Sequence, residues 1–222
     1  AGIPYRIVYL FEPSRIEYPD TSPRHLQFVY HSIITLNKTL KPFNRKVEVF
    51  YGEAVDIFKY LSECFDINTL FSYRESGTQI SWERDKKIKG FCKKHQINWQ
   101  EFQRDGILRG IKNRDNWNRQ WHVKMHESVI QNTYSVSQEA PLEPSFLIPE
   151  KLETQLKKYP KQYQPAGEQN AWRYLKSFTN QRGFNYQKHI SKPTESRTAC
   201  SRLSVRLHTK VEYFQVNLVN SF

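Results

Sequence analysis

Two hydrophobic periods take turns along the first half of the chain. Tyr5 to Phe11 (YRIVYLF) is a short, β-rich apolar run closed by Glu12-Pro13-Ser14, the pattern of a strand buried on both faces. Ser22 and Pro23 then supply an N-cap residue and a first-turn proline. Leu26, Val29, Tyr30, Ile33, Ile34, Leu36 and Leu40 follow at three- and four-residue intervals, which predicts a helix. Lys46 to Tyr51 alternates as a strand, Ala54 to Phe65 has the helical period, and Asn68 to Tyr73 is again a strand. Gln79 to His95 reads as a long basic helix and Asn98 to Phe102 as the next strand. Strand and helix therefore alternate through short connections, the signature of an α/β fold with a parallel sheet wrapped by helices. Right-handed crossovers make such a sheet doubly wound, and ligands gather beyond the carboxyl ends of its strands. The loops Glu12 to Pro19 and Tyr73 to Thr78 are accordingly the candidate rim of a pocket.

The texture changes after the last of these strands. Residues 104 to 126, RDGILRGIKNRDNWNRQWHVKMH, interleave arginine, asparagine and tryptophan. Trp117 and Trp121 with Arg109, Arg114 and Arg119 suit stacking on bases, but an aromatic seam closing the α/β domain is the favoured reading because aromatics dominate cores. Trp82 and Trp99 are expected to be shielded in the same domain. From Ser128 to Gln164 periodic apolar residues are few, and Pro141, Pro144, Pro149, Pro160 and Pro165 punctuate the stretch, which predicts a linker. Helical periodicity returns at Glu168 with Ala171, Trp172, Leu175 and Phe178 on one face. The expected domains are residues 1–127, a linker over 128–165 and a second, helical unit over 166–222. The opening AGIP resembles the end of a helix and its turn, so a preceding strand and helix are expected, and with them gone an unpaired edge or gap in the sheet.

Composition narrows the class. With 38% apolar and 14% aromatic residues in 222, the chain has the means to bury a core and is not a disordered one. It contains no apolar run of membrane-spanning length and no secretory leader, so a soluble protein is expected. Cys64, Cys92 and Cys200 lack disulfide or zinc spacing and read as free thiols in a reducing, cytoplasmic setting; Cys64 and Cys92 fall at apolar helical positions. A glycine-rich phosphate loop is absent. His122 and His126, four apart beside Glu127, lack a third ligand and read as a solvated helix end, so neither a metal nor a catalytic residue is assigned. The net charge of +12 favours polyanionic partners. It is uneven: residues 1–110 carry 17 basic against 13 acidic side chains, residues 111–222 carry 17 against 9.

One segment carries more than composition. Gly167, Glu168, Ala171, Leu175 and Phe178, then Tyr186, Pro193 and Cys200-Ser201-Arg202-Leu203-Ser204, follow the order G-E-x-x-A-x-x-x-L-x-x-F, Y, a proline turn and T/C-S-x-L-S. This resembles the cryptochrome/photolyase family, photolyase-like in particular, and so do VYLFEPS at Val8 to Ser14, ESGTQISWERD from Glu75 and LRGIKNRDNWNRQW from Leu108. The resemblance implies a photolyase α/β domain, then a linker and the start of an all-helical FAD-binding domain. It implies that Tyr186, Cys200, Ser201, Leu203 and Ser204 touch FAD, with small hydroxylated residues at a helix start offering free N–H groups to the diphosphate. It also implies an antenna chromophore on the α/β domain, a monomer, and damaged DNA as partner, with Lys188, Lys192, Arg197 and Arg202 as phosphate contacts. The implied activity is light-dependent splitting of pyrimidine dimers; the alternatives are a cryptochrome photoreceptor without lyase activity and an inert fragment. After Ser204 the chain, VRLHTKVEYFQVNLVNSF, leaves the family pattern. Its alternation at Val211, Tyr213, Gln215, Asn217 and Val219 predicts an exposed strand, and a frameshift or assembly break near Val205 is expected.

Overall fold

The computed structural model describes residues 4–75, 77–103, 106–108, 110–128, 132–138 and 142–203, together with the backbone of 214–219. They divide into two compact units, one of residues 1–17, 40–148 and 212–222, the other of 18–39 and 149–211.

The first unit is built on the predicted strands β1 (Tyr5–Phe11), β2 (Val47–Tyr51), β3 (Asp66–Tyr73) and β4 (Asn98–Phe102), interleaved with the helices α3 (Ala54–Cys64) and α4 (Gln79–Lys94) and preceded by the short helix α1 (Pro13–Ile16). β1 and β2 run parallel from Ile7↔Val47 to Phe11↔Tyr51, and β3 and β4 run parallel from Thr69↔Asn98 to Tyr73↔Phe102. Between these pairs lies a strand from the far end of the sequence, β5 (Phe214–Val219), antiparallel to both neighbours, which gives the order β2-β1-β5-β3-β4. The parallel α/β fold thus holds, with winding that reverses across β5. The expectation of an exposed tail strand and an open gap does not: β5 has a hydrogen-bonding partner on each side, and its alternation suits a place in the sheet as well as it suits an edge.

Val8, Leu10, Phe50, Ile57, Phe58 and Leu70 are central to a core that α3 and α4 close with Leu61, Ile88 and Cys92. β1 is fully buried only in its second half, at Val8, Leu10 and Phe11. Trp99 packs against the core and donates from Nε1 to Ser72 Oγ at 2.9 Å. Trp82 does not follow it; the ring is 48% exposed, under the Lys86 ammonium. Cys92 is buried as expected, whereas Cys64, the last residue of α3, is exposed. Residues 132–138 and 142–148 strap the unit: Arg45 donates to Ser135 O at 2.7 Å, Asn44 Nδ2 to Ser137 O at 2.9 Å, and Tyr51 N to Phe146 O at 2.7 Å.

The second unit contains α2 (Pro23–Leu40, with Leu40 itself in the first), α6 (Glu150–Lys157), α7 (Glu168–Asn180), α8 (Tyr186–His189) and α9 (Pro193–Ala199). Ser22 Oγ accepts from Arg24 N at 3.3 Å, the cap predicted for α2. The stretch expected to be linker holds α6, whose Leu156 is buried, and α6 ties to α2 through Gln27 Nε2 donating to Gln155 O at 2.9 Å. Gly167 precedes α7 at φ 95°, and a Cβ there would lie 2.8 Å from Thr35 Cγ2, so only glycine fits this turn. Among the described residues, no helix is long and apolar enough to cross a membrane.

Candidate functional site

The two predicted rim loops are joined by one arginine. β1 ends by placing Glu12 against the core, and Pro13 at once starts α1; β3 leads to Glu75, and α4 carries Arg84 back toward both. Arg84 Nη1 lies 3.1 Å from Glu12 Oε2, and its Nη2 lies 3.6 Å from Glu75 Oε2 and 2.8 Å from Asp85 Oδ1. Arg15 reaches Glu12 at 3.8 Å. Glu75 Oε1 accepts from Gly77 N at 2.5 Å, and Ser14 donates from N and Oγ to Glu53, both at 2.9 Å. Glu12, Glu75 and Arg84 are all buried. Burial raises the Glu12 carboxyl pKa above its ordinary value, and the Arg84 and Arg15 guanidiniums oppose that rise. The network has more carboxylates than guanidiniums, so it is a brace between the carboxyl ends of β1 and β3 and not a phosphate site. Sequence reasoning placed the rims but missed the brace; the signal was a glutamate at the end of each apolar strand and an arginine inside the intervening helix.

The segment assigned to flavin is organised by Arg182. Its guanidinium donates to Ser177 Oγ at 2.9 Å, Tyr174 O at 2.9 Å, Thr198 O at 3.1 Å and Cys200 O at 2.6 Å, locking α7 to the end of α9. Cys200 is the extended C-cap of α9, Ser201 Oγ accepts from Leu203 N at 3.4 Å, and Arg202 sits in the left-handed region at φ 59°. Tyr186 opens α8, with its ring edge-on to Phe178 at 5.8 Å. Ser204 lies outside the described residues. The described part of the segment follows the carboxyl end of α9, and the residues after Leu203, where the motif expects a helix start, lie outside the described residues.

The candidate phosphate contacts are scattered unevenly. Lys188 and Arg197 are exposed on α8 and α9, and Arg197 donates to Gln162 O at 3.3 Å. Lys192 lies at the start of α9, 3.7 Å from Glu195, which His189 also meets at 2.7 Å. Arg202 is half-buried. Trp117 and Trp121 lie on α5 (Trp117–Met125), which buries none of its residues; the expected aromatic seam is not formed. His122 and His126 are both exposed there, and among the described residues no cluster of side chains suits a metal ion.

A family model for DNA photolyase matches residues 1–115. The chain belongs to the DNA photolyase family. The match covers β1 to β4 with the helices between them, so the Glu12–Arg84–Glu75 brace lies wholly inside the photolyase-type part. Among solved structures, an archaeal photolyase from Sulfolobus tokodaii, described with two FAD molecules and the implication of a novel light-harvesting cofactor, matches with a TM-score of 0.55 at 15% identity. The match covers 91% of this chain and 48% of that one, so the chain spans about half the length of the archaeal photolyase; at this identity the likeness is one of fold. No curated protein matches the chain.

Proposed function

We propose that this chain is part of a light-dependent DNA-repair flavoprotein acting on pyrimidine dimers. The observation that carries the reading is the photolyase match over 1–115, continued by the ordered run from Gly167 to Leu203 in which Gly167 and Arg182 have identifiable structural tasks. In the whole protein FAD supplies the photochemistry, and the polypeptide positions it and the damaged base. Within the chain, Gly167 sets the start of α7 and Arg182 fixes the turn around Cys200. Lys188, Lys192 and Arg197 offer phosphate contacts without reading sequence, as a monomer on DNA would need. A light-harvesting chromophore, if carried, is not held by the Glu12–Arg84 brace, whose carboxylates repel a nucleotide phosphate.

The test is the full-length gene product, assayed on ultraviolet-irradiated DNA under blue light. Dimer loss that requires both light and flavin is the expected result, with binding that weakens steeply as salt rises. A flavin-loaded protein that neither repairs dimers nor prefers damaged DNA makes it a photoreceptor instead. The 222-residue chain by itself is expected to purify colourless; stoichiometric retained flavin overturns the reading that Cys200 to Leu203 is only part of a cradle.

A further inference from the structure

α5 is a surface helix with an unusual load. Trp117 and Trp121, one turn apart, stack on each other with ring centroids 6.3 Å apart and planes at 29°, and Trp121 keeps 37% of its surface open. The Trp121 ring rests against backbone at Gly106, where a Cβ would come within 2.2 Å of Cδ1. Around the pair, Lys112, Arg114 and Arg119 are exposed, and among the described residues none has an acidic partner; Lys124 is paired with Glu127 at 2.5 Å. Asn118 and Gln120 are exposed on the same helix, and a groove of about 490 Å³ beside it is lined by Gln103, Asn116, Arg119, Gln120 and Lys124 among others.

A stacked indole pair with Trp121 exposed and Trp117 half-buried, unpaired cations and free amides within one short stretch are the parts that unpaired nucleotides engage. Bases stack on indole faces, guanidinium and ammonium groups meet the phosphates, and amides reach the base edges. A partner that covered the apolar side chains alone would leave Arg114 and Arg119 desolvated without counter-charge. A polyanion supplies that charge, in keeping with the basic balance of the chain. We propose that the Trp117–Trp121 face of α5 is a stacking platform for single-stranded nucleic acid, carried by the first unit itself. It does not rest on the flavin reading, since it needs neither light nor flavin.

The test uses the chain as it is, with a fluorescein-labelled oligothymidylate of about a dozen nucleotides, the span of one such groove, and the matching duplex as control. The expected result is quenching of tryptophan fluorescence with tighter binding of the single strand. Trp121→Ala should weaken binding by about tenfold or more, as loss of one stacked base does. Arg114→Gln/Arg119→Gln, a purely surface change, should lower the slope of log affinity against log salt by about 1.4, at roughly 0.7 per lost contact. Absence of binding, equal affinity for the duplex, or binding untouched by either variant overturns the proposal, and so does a face found buried in a self-associated protein. None of these outcomes bears on dimer repair by the full-length protein, which is measured separately.

Discussion

Arg84 shows how much one side chain holds at the residue level. It is buried among Glu12, Glu75 and Asp85, so Arg84→Met strands carboxylates in the interior and is expected to cost about 3–5 kcal/mol in urea unfolding. Arg84→Lys should recover only part, because an ammonium cannot present the same fork to separate carboxylates. Glu12 behaves in the opposite sense. Its folded pKa is raised above 4.5, so the folded state holds the proton more tightly and stability is lost as pH climbs through that raised value. Glu12→Gln removes this loss, and its stability relative to the parent should improve from acid toward neutral pH; a constant difference would show that Glu12 does not titrate in that range. For the cysteines, burial pushes the Cys92 thiol up to about 11, so at mildly alkaline pH it should resist alkylation until the protein unfolds, while exposed Cys64 reacts at once. Peptide mapping after brief iodoacetamide treatment reads both. Cys64 was illegible in the sequence because the helical period carries through the final residue of α3, where the core has already ended.

Among the elements, β1 to β4, α3 and α4 were legible because each satisfies its own period: apolar positions that face the core recur at two or at three to four residues. α5 was not. Its tryptophans look like core in composition, and only tertiary placement shows that neither is fully buried. α6 was hidden by its polar composition, since a single buried residue, Leu156, anchors it. β5 was visible as a strand, but Val216 pairs with Arg6, 210 residues before it, and with Leu70, 146 before it, and pairing over such distances leaves no local trace. Its role is testable through the backbone. Val216 is paired with Arg6 on one side and Leu70 on the other, and Val216→Pro removes a donor from the middle of the sheet. The expected outcome is loss of a single cooperative unfolding transition and self-association through the edges of β1 and β3; unchanged cooperativity by calorimetry would mean that β5 contributes little to the sheet.

On the scale of the whole molecule, part of the surplus of charge read from the sequence falls on two groups of exposed cations, those on and beside α5 and those of α8–α9, and each lies in a different unit. The turn around Cys200 could not be read in full because its motif names residue types, while Arg182, which draws the carbonyls of Thr198 and Cys200 together, lies outside the motif. The arrangement of the sheet also sets a timetable. β1 to β4 are made first, and 111 residues separate Phe102 from Phe214. At about 5–20 residues per second, the ribosome needs roughly 6–22 s to deliver them. Through that interval β1 and β3 wait with unpaired edges, and a nascent chain in this state is a natural client for chaperones.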